Sequence, residues 1–307
     1  VESLASFPTP PPEFRSGFVA LVGRPNVGKS TLFNRLLGQK VAITSPVAQT
    51  TRNRLRGILT TPTAQFIFVD TPGIHKPHHR LGEVLVQNAK GILNRVDAVV
   101  CVVDGTAPPG TGDRYVAQLL TTAKSSVLMV VNKIDQVSAK DRAARLQAYQ
   151  ALGGWPVYGC SAMTGEGVER LQGAIAHLLP LGPYYYPPEM VTDQPERFIM
   201  AELIREQILH HTREEVPHSV AVTIEHMQQQ GNITRVNAAI YVERPSQKAI
   251  LIGKGGQRLK QMGTAARQEI ETLIGGNLYL ELFIKVRPRW RQDRSRLAEL
   301  GYRLDND

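Results

Sequence analysis

The stretch "GRPNVGKST" runs from Gly23 to Thr31 directly after the apolar run "FVALV" at 18–22, and a helical pattern opens at Lys29. Strand, glycine-rich turn and helix in that order are the context in which G-x-x-x-x-G-K-[ST] holds a phosphate. Backbone N–H groups curl around a β-phosphate, and the helix N-terminus adds partial positive charge. On this reading Gly23, Arg24, Pro25, Asn26, Val27, Gly28, Lys29, Ser30 and Thr31 form the loop. Gly28 lets the backbone approach, Lys29 bridges β- and γ-phosphates, and Ser30 offers a hydroxyl to Mg²⁺.

Outward from this loop, short apolar runs alternate with helical patterns as far as about Pro180: "QFIFVDTPG", "AVVCVVDG", "VLMVVNKID" and "WPVYGCSA". Runs apolar at consecutive positions suit strands covered on both faces, so the expectation is a doubly wound α/β domain around a parallel sheet. "TRNRLRGILTT" at 51–61 alternates instead, and reads as an antiparallel edge strand paired with the strand that follows.

Three further motifs identify the nucleotide. Asp70 ends a strand where its carboxylate reaches the metal's water shell, and the Gly73 N–H can meet a γ-phosphate. Asp135 in "NKID" can accept both N1–H and the 2-amino group of guanine, whereas adenine offers it no matching donor pair. Asn132 ties this loop to the phosphate loop, the Lys133 stem covers the purine, and Ser161 with the Ala162 N–H meets guanine O6. The ligand is GTP or GDP; an ATPase is disfavoured by Asp135.

"GRPNVGKS", "AQTTR", "DTPGIH", "NKID" and "SA" together resemble a translation-factor-class GTPase of the TrmE, Era and EngA group. That resemblance implies a threonine that closes on Mg²⁺ with GTP bound. Thr50 and Thr51 both match, and Thr51 is favoured. Where Ras-like proteins carry a water-orienting glutamine this chain has Ile74, so slow intrinsic turnover is expected. Relatives with an apolar residue there are thought to use K⁺ held partly by a phosphate-loop Asn, and Asn26 matches. His75 is an alternative base, or a solvated loop histidine. The catalytic set is thus Lys29, Asn26 and Thr51, and the metal set Ser30, Thr51 and Asp70.

"LPLGPYYYPPEMVTDQPERF" at 179–198 is too rich in Pro and Gly for a helix or central strand, and is expected to be a linker. Beyond it the pattern gives a helix (about 196–212), strands "SVAVTIEHM" and "TRVNAAIYVER", a short run "AILIG", a helix from Gly256 to about Ile274, and a strand "LYLELFIKV". "GKGG" at 253–256 lacks phosphate-loop spacing. A G-x-x-G before the basic helix "QRLKQMGTAAR", in this order of elements, resembles a prokaryotic, type II KH domain, whose loop clamps about four nucleotides of single-stranded RNA.

The chain of 307 residues carries +9 net charge, but residues 187–307 hold 17 Lys and Arg against 16 Asp and Glu. RNA binding must therefore rest on local clusters. Five bases and no acid lie between Lys248 and Arg267, and six bases face only Asp293 between Lys285 and Arg296. The expected RNA contacts are Ile252, Gly253, Lys254, Gly255, Gly256, Arg258, Lys260, Arg287, Arg289 and Trp290. Trp290 could stack on a base or anchor the terminal helix. The alternative reading makes "GKGG" structural and gives the second domain a protein or membrane partner.

The expected organisation is a disordered, Pro-rich leader (1–16), a GTPase domain (17–180), a linker (181–196), a smaller α+β KH domain (197–290) and a tail (291–307). Cys101 and Cys160 lack metal-ligand spacing and read as buried thiols in a reducing compartment. No apolar run has the length of a membrane span, and a cytoplasmic location is expected. Resemblance to the same group implies binding to the 3′ end of small-subunit ribosomal RNA, a role in maturing the 30S subunit, a monomer, and peripheral association with the inner membrane.

Overall fold

The computed structural model describes residues 9–45, 51–52, 54–74 and 80–302. Thr50, His75, leader residues 1–8 and tail residues 303–307 lie outside the described residues. The chain divides into two compact units, the first ending at Asp193 and the second beginning at Gln194; residues 43–45 and 80–84 count with the second.

The first unit contains β1 (Arg15–Val22), α1 (Lys29–Leu37), β2 (Leu55–Thr60), β3 (Ala64–Asp70), α2 (Arg80–Ile92, from Leu85 onward), β4 (Ala98–Asp104), α3 (Thr111–Leu120), β5 (Ser126–Asn132), α4 (Ala139–Gln150), β6 (Val157–Gly159) and α5 (Val168–Leu178). The sheet order is β2-β3-β1-β4-β5-β6, parallel except for β2, which runs antiparallel to β3. All seven residues of β3 are buried, as are six of seven in β4 and in β5. Val22, Cys101 and Met129 pack with Ile74 and Leu120 on one face of the sheet. The order reverses at β1, between β3 and β4, so the crevice for a ligand opens beyond the carboxyl ends of these strands.

Two limits differ from the sequence expectation. β1 begins at Arg15, ahead of the apolar run at 18–22 and inside the expected leader, because Arg15 pairs with Ala64 and bridges to Leu181. The expected linker is largely a strap built into the first unit. Gln65, fully buried, accepts the N–H groups of Tyr185 and Tyr186 at 2.8 and 3.0 Å and donates to the Tyr186 carbonyl at 2.8 Å. Ile58 N–H donates to Val191 O at 2.7 Å, and Arg56 pairs with Asp193 at 2.8 Å. With Thr192 Oγ1 donating to Arg56 O at 2.6 Å, the strap caps part of the open edge of β2, which would otherwise expose unpaired backbone.

The second unit contains α6 (Glu196–His211), α7 (Val216–Ser219), β7 (Ala221–Gln230), β8 (Ile233–Val242), α8 (Pro245–Ile252), α9 (Gln257–Ile274), β9 (Asn277–Val286) and α10 (Arg294–Glu299). β7 and β8 are antiparallel, and β8 and β9 parallel. Val236, Ala238, Ile240 and Val242 turn toward the helices, in one core with Ile204, Ile208, Met262 and Ile270.

The short run "AILIG" closes α8, with Gly253 as its C-cap. Four consecutive apolar residues suit either element, and the context decides. Pro245 occupies the first helical turn, while Gln247 Oε1 accepts the N–H groups of Glu243 and Arg244 at 2.9 and 3.0 Å. α7, four residues long, had no sequence signal. No helix among the described residues is long and apolar enough to cross a membrane.

Candidate nucleotide site and RNA groove

The phosphate loop lies between β1 and α1, and Gly28 marks a close approach within it. Gly28 has φ 94°, and a Cβ there would fall 2.3 Å from Asn132 Nδ2. Only glycine combines that backbone conformation with that closeness. Asn132, buried at the end of β5, joins three segments: Nδ2 donates to Val27 O at 2.9 Å, and Oδ1 accepts the Ala162 N–H at 2.9 Å. Lys133 donates to Asn26 O at 3.0 Å and to Asp104 Oδ2 at 2.6 Å. Asn26 itself is exposed, with φ 64°.

Lys29 is buried at the loop's centre and donates to the carbonyls of Arg24 at 2.9 Å and Gly23 at 3.3 Å. Burial pushes its ammonium down to about 8, against the pull of Asp70. Its charge thus lacks a close counter-ion in the loop, which favours an anion. The Arg24 side chain is held by buried Asp113 at 2.7 Å. Val27 is buried, while Pro25 lies against Gly73, where a Cβ would meet Pro25 backbone at 2.7 Å. Thr31 sits in the first turn of α1.

Ser30, Thr51 and Asp70 converge although they lie on α1, before β2 and at the end of β3. Ser30 Oγ is 2.8 Å from Thr51 Oγ1, and both hydroxyls donate to Asp70 Oδ2, at 2.7 and 2.9 Å. Asp70 is fully buried, and its Oδ1 has no hydrogen-bond partner. Burial pushes the carboxyl up, while Lys29 and the two hydroxyls pull it down. Two hydroxyls and an orphaned carboxylate oxygen are an all-oxygen donor set suited to Mg²⁺, which takes few protein ligands and keeps several waters.

At the end expected to receive the base, Asp135 is exposed just after β5. Two details differ from the sequence reading. The Ala162 N–H, assigned to guanine O6, is engaged by Asn132 in this structure. Ser161 is fully buried, and its Oγ accepts the Thr164 N–H at 3.1 Å, so it holds the loop's shape. Sequence reasoning also missed Asp104 and Asp113. The first was legible: "VVD" at 102–104 ends a buried strand just as "FVD" does at 68–70.

In the second unit "GKGG" is the turn between α8 and α9. Gly253, Gly255 and Gly256 have φ of 71, 58 and 78°, and Lys254 and Gly255 are exposed. Ile252 is half-buried at the end of α8, and Lys260 is exposed on α9. Arg258, half-buried, donates to Ile250 O at 2.7 Å across the turn, so it braces it. Beside the turn, α9 and β9 enclose a groove of about 550 Å³ whose walls include Lys260, Thr264, Arg267, Tyr279 and Leu280. The groove's β9 wall was not in the sequence reading, because strand alternation alone does not say which residues meet a helix.

Trp290 does not offer a stacking face. It is fully buried, donates to Ser219 O at 3.0 Å and stacks on Tyr302 at 5.9 Å between centroids. The indole has the larger apolar surface to bury, and the Ser219 carbonyl satisfies its N–H. Arg287 pairs with Glu299 at 2.8 Å and lies over the Tyr241 ring, whereas Arg289 is exposed.

Fold and site together define a P-loop GTPase domain followed by a KH domain. Residues 18–133 match the family model described as 50S ribosome-binding GTPase, and residues 215–291 match that of the KH domain. GTPase Era of Nostoc sp. is 61% identical over 98% of this chain and 93% of its own length; that of Rippkaea orientalis is 58% identical over 99% and 97%. Era in complex with MgGDPNP and nucleotides 1506–1542 of 16S ribosomal RNA superposes with TM-score 0.92 at 39% identity, covering 95% of this chain and all of that one. A variant Era of Aquifex aeolicus bound to GDP and AlF4⁻ matches equally, with TM-score 0.92 at 39% identity. The chain belongs to the Era family of GTPases.

Proposed function

We propose that this GTPase is a nucleotide-dependent switch that grips the single-stranded 3′ end of small-subunit ribosomal RNA during 30S assembly. The observation that carries the nucleotide half is the convergence of Ser30, Thr51 and Asp70 around an orphaned carboxylate oxygen. Ser30, Thr51 and Asp70 would hold Mg²⁺, which when bound neutralises charge on the β- and γ-phosphate oxygens. Lys29 binds those phosphates, the Gly73 backbone meets the γ-phosphate, and Asp135 selects guanine. Asn132 and Lys133 brace the loops that receive the base.

Ile74 is buried, and its N–H donates to Gly23 O at 3.0 Å, so its side chain cannot orient a water. Slow intrinsic turnover follows. Exposed Asn26 is the residue for a K⁺ that offsets developing charge, as an arginine finger does elsewhere. Turnover should be faster in potassium than in sodium buffer, and equal rates remove this role. Lys29→Ala should abolish turnover.

The RNA half is supported by the exposed "GKGG" turn, the adjacent groove and the ligand of the related complex. Gly253→Asp with Gly256→Asp puts two carboxylates where phosphate would lie, and RNA affinity should be lost. Retained, salt-dependent RNA binding by that variant would overturn the assignment. We take 17–180 as the nucleotide domain, with the strap to Asp193 attached, and 197–290 as the RNA domain. RNA affinity should differ between GTP-analogue and GDP states, and by reciprocity RNA should shift GTP affinity. A cytoplasmic location, a monomeric state and peripheral contact with the inner membrane complete the reading on family resemblance.

A further inference from the structure

We infer that the face of the β7-β8-β9 sheet turned away from the helices is a second RNA surface, receiving nucleotides of the same strand beyond those held at "GKGG". This rests on the RNA reading above. Strand side chains alternate between faces. With Val236, Ala238 and Ile240 in the core, Arg235 and Ala239 of β8 and Tyr279, Glu281 and Phe283 of β9 belong to the opposite face.

Tyr279 and Phe283 are each 45% exposed. Aromatic rings left open on a sheet are stacking platforms for unpaired bases, which bind through their π-faces whatever their sequence. Phe283 lies opposite Ala239 in the register, so no bulky cross-strand neighbour covers its ring. Tyr279 lies opposite Arg235, whose guanidinium sits 4.9 Å from the ring centroid. That pair offers a base a ring and a phosphate a cation at one point.

Continuity with the groove names the occupant. Tyr279 lines the groove beside "GKGG" and also starts the exposed row on β9. A KH turn holds only about four nucleotides. A longer strand leaving the groove at Tyr279 reaches Phe283 four residues along β9, about 13 Å away. Between the two rings Glu281 accepts the Tyr279 hydroxyl at 3.0 Å. A carboxylate there accepts the exocyclic amino group of cytosine or adenine. A protein partner fits less well, since it would give the guanidinium at Tyr279 and the shared groove wall no role.

The test uses the full chain with Mg²⁺ and a GTP analogue, and tiled RNAs of five and twelve nucleotides from within the 16S segment 1506–1542 of the related complex. Phe283→Ala should weaken the best twelve-nucleotide RNA roughly tenfold and leave the best five-nucleotide RNA unchanged. In Phe283→Trp, indole emission should respond to the long RNA and not to the short one. Equal affinity of wild type and Phe283→Ala for the long RNA, with no emission response in Phe283→Trp, overturns the second surface and leaves this face to a protein. Failure of every RNA to bind wild type overturns the groove reading with it.

Discussion

The Thr51 hydroxyl donates to the Asp70 carboxylate at 2.9 Å, joining a residue ahead of β2 to the last residue of β3. The same carboxylate oxygen accepts Ser30, so the oxygen atoms suited to Mg²⁺ are already gathered. Thr51→Val removes one hydroxyl while keeping the side chain's shape. Because hydrogen bonds to charged groups are worth about 1.5–3 kcal/mol, GTP turnover should fall roughly 10- to 100-fold while GDP affinity stays within about threefold. Single-turnover phosphate release and GDP titration measure the two; an equal loss in both would mean that Thr51 serves the fold and not the reaction.

Asp104 gives the nucleotide domain an acid-sensitive contact. Burial works to raise its carboxyl, but hydrogen bonds from Lys133 and Thr106 outweigh it and hold the carboxyl below its ordinary value of 3.8. A depressed carboxylate stabilises the fold above the unfolded value, and that contribution is lost as pH falls through the folded one. Lys133→Met should therefore cost stability at pH 7 and progressively less below pH 3.8. Urea midpoints for both proteins at pH 7, 4 and 3 check this, and a constant difference across that range would contradict it.

Both thiols should be silent in the folded protein. Burial pushes Cys101 and Cys160 up to about 12, with Asp113 adding to the effect at Cys101. The thiolate is the reacting form, so labelling at pH 8 should run at least about a thousandfold slower than for a free cysteine, whose value is near 8.5. Denaturant should restore two reactive thiols. Rapid labelling of native protein would show that one of these sites opens.

Trp290 is a core residue, and its loss should act on stability before it acts on RNA. Trp290→Ala should cost about 3–5 kcal/mol by the usual range for large buried aromatics. Trp290→Phe keeps the ring stack on Tyr302 but leaves the Ser219 carbonyl without its donor, at about 1–3 kcal/mol. Thermal melting measures both, and RNA affinity of the Phe variant at 10 °C should match wild type.

The strap should come loose when Gln65 is truncated. Gln65→Ala leaves the N–H groups of Tyr185 and Tyr186 without an acceptor. Hydrogen exchange at those two amides should speed up at least tenfold, with β4 and β5 amides unchanged. Uniform acceleration through both would indicate global destabilisation instead.

The nucleotide domain was legible because its signals are local. A phosphate loop needs contiguous residues, and strands covered on both faces are apolar at every position, so "GRPNVGKST", "FVD" and "NKID" could be read one at a time. The antiparallel pairing of β2 with β3 was also read from "TRNRLRGILTT", though its register came only from the structure. The second domain was harder. "AILIG" is apolar in either conformation, and the helix was decided by Pro245 and by the amide of Gln247 reaching two backbone N–H groups.

What the amino-acid order determined by itself is the chemistry on offer: a phosphate loop, an "NKID" carboxylate matched to guanine, a G-x-x-G turn and the clusters of basic residues. Only the tertiary structure decided which of those groups are free to act. Trp290 and Arg258 look alike in sequence to residues that touch RNA, yet one is in the core and the other braces its own turn. The "YYYPP" linker became a strap because Gln65, distant in sequence, supplies the bonds its backbone needs. Burial and long-range hydrogen bonding depend on which segments meet, and that information is spread over the whole chain rather than held in any one motif.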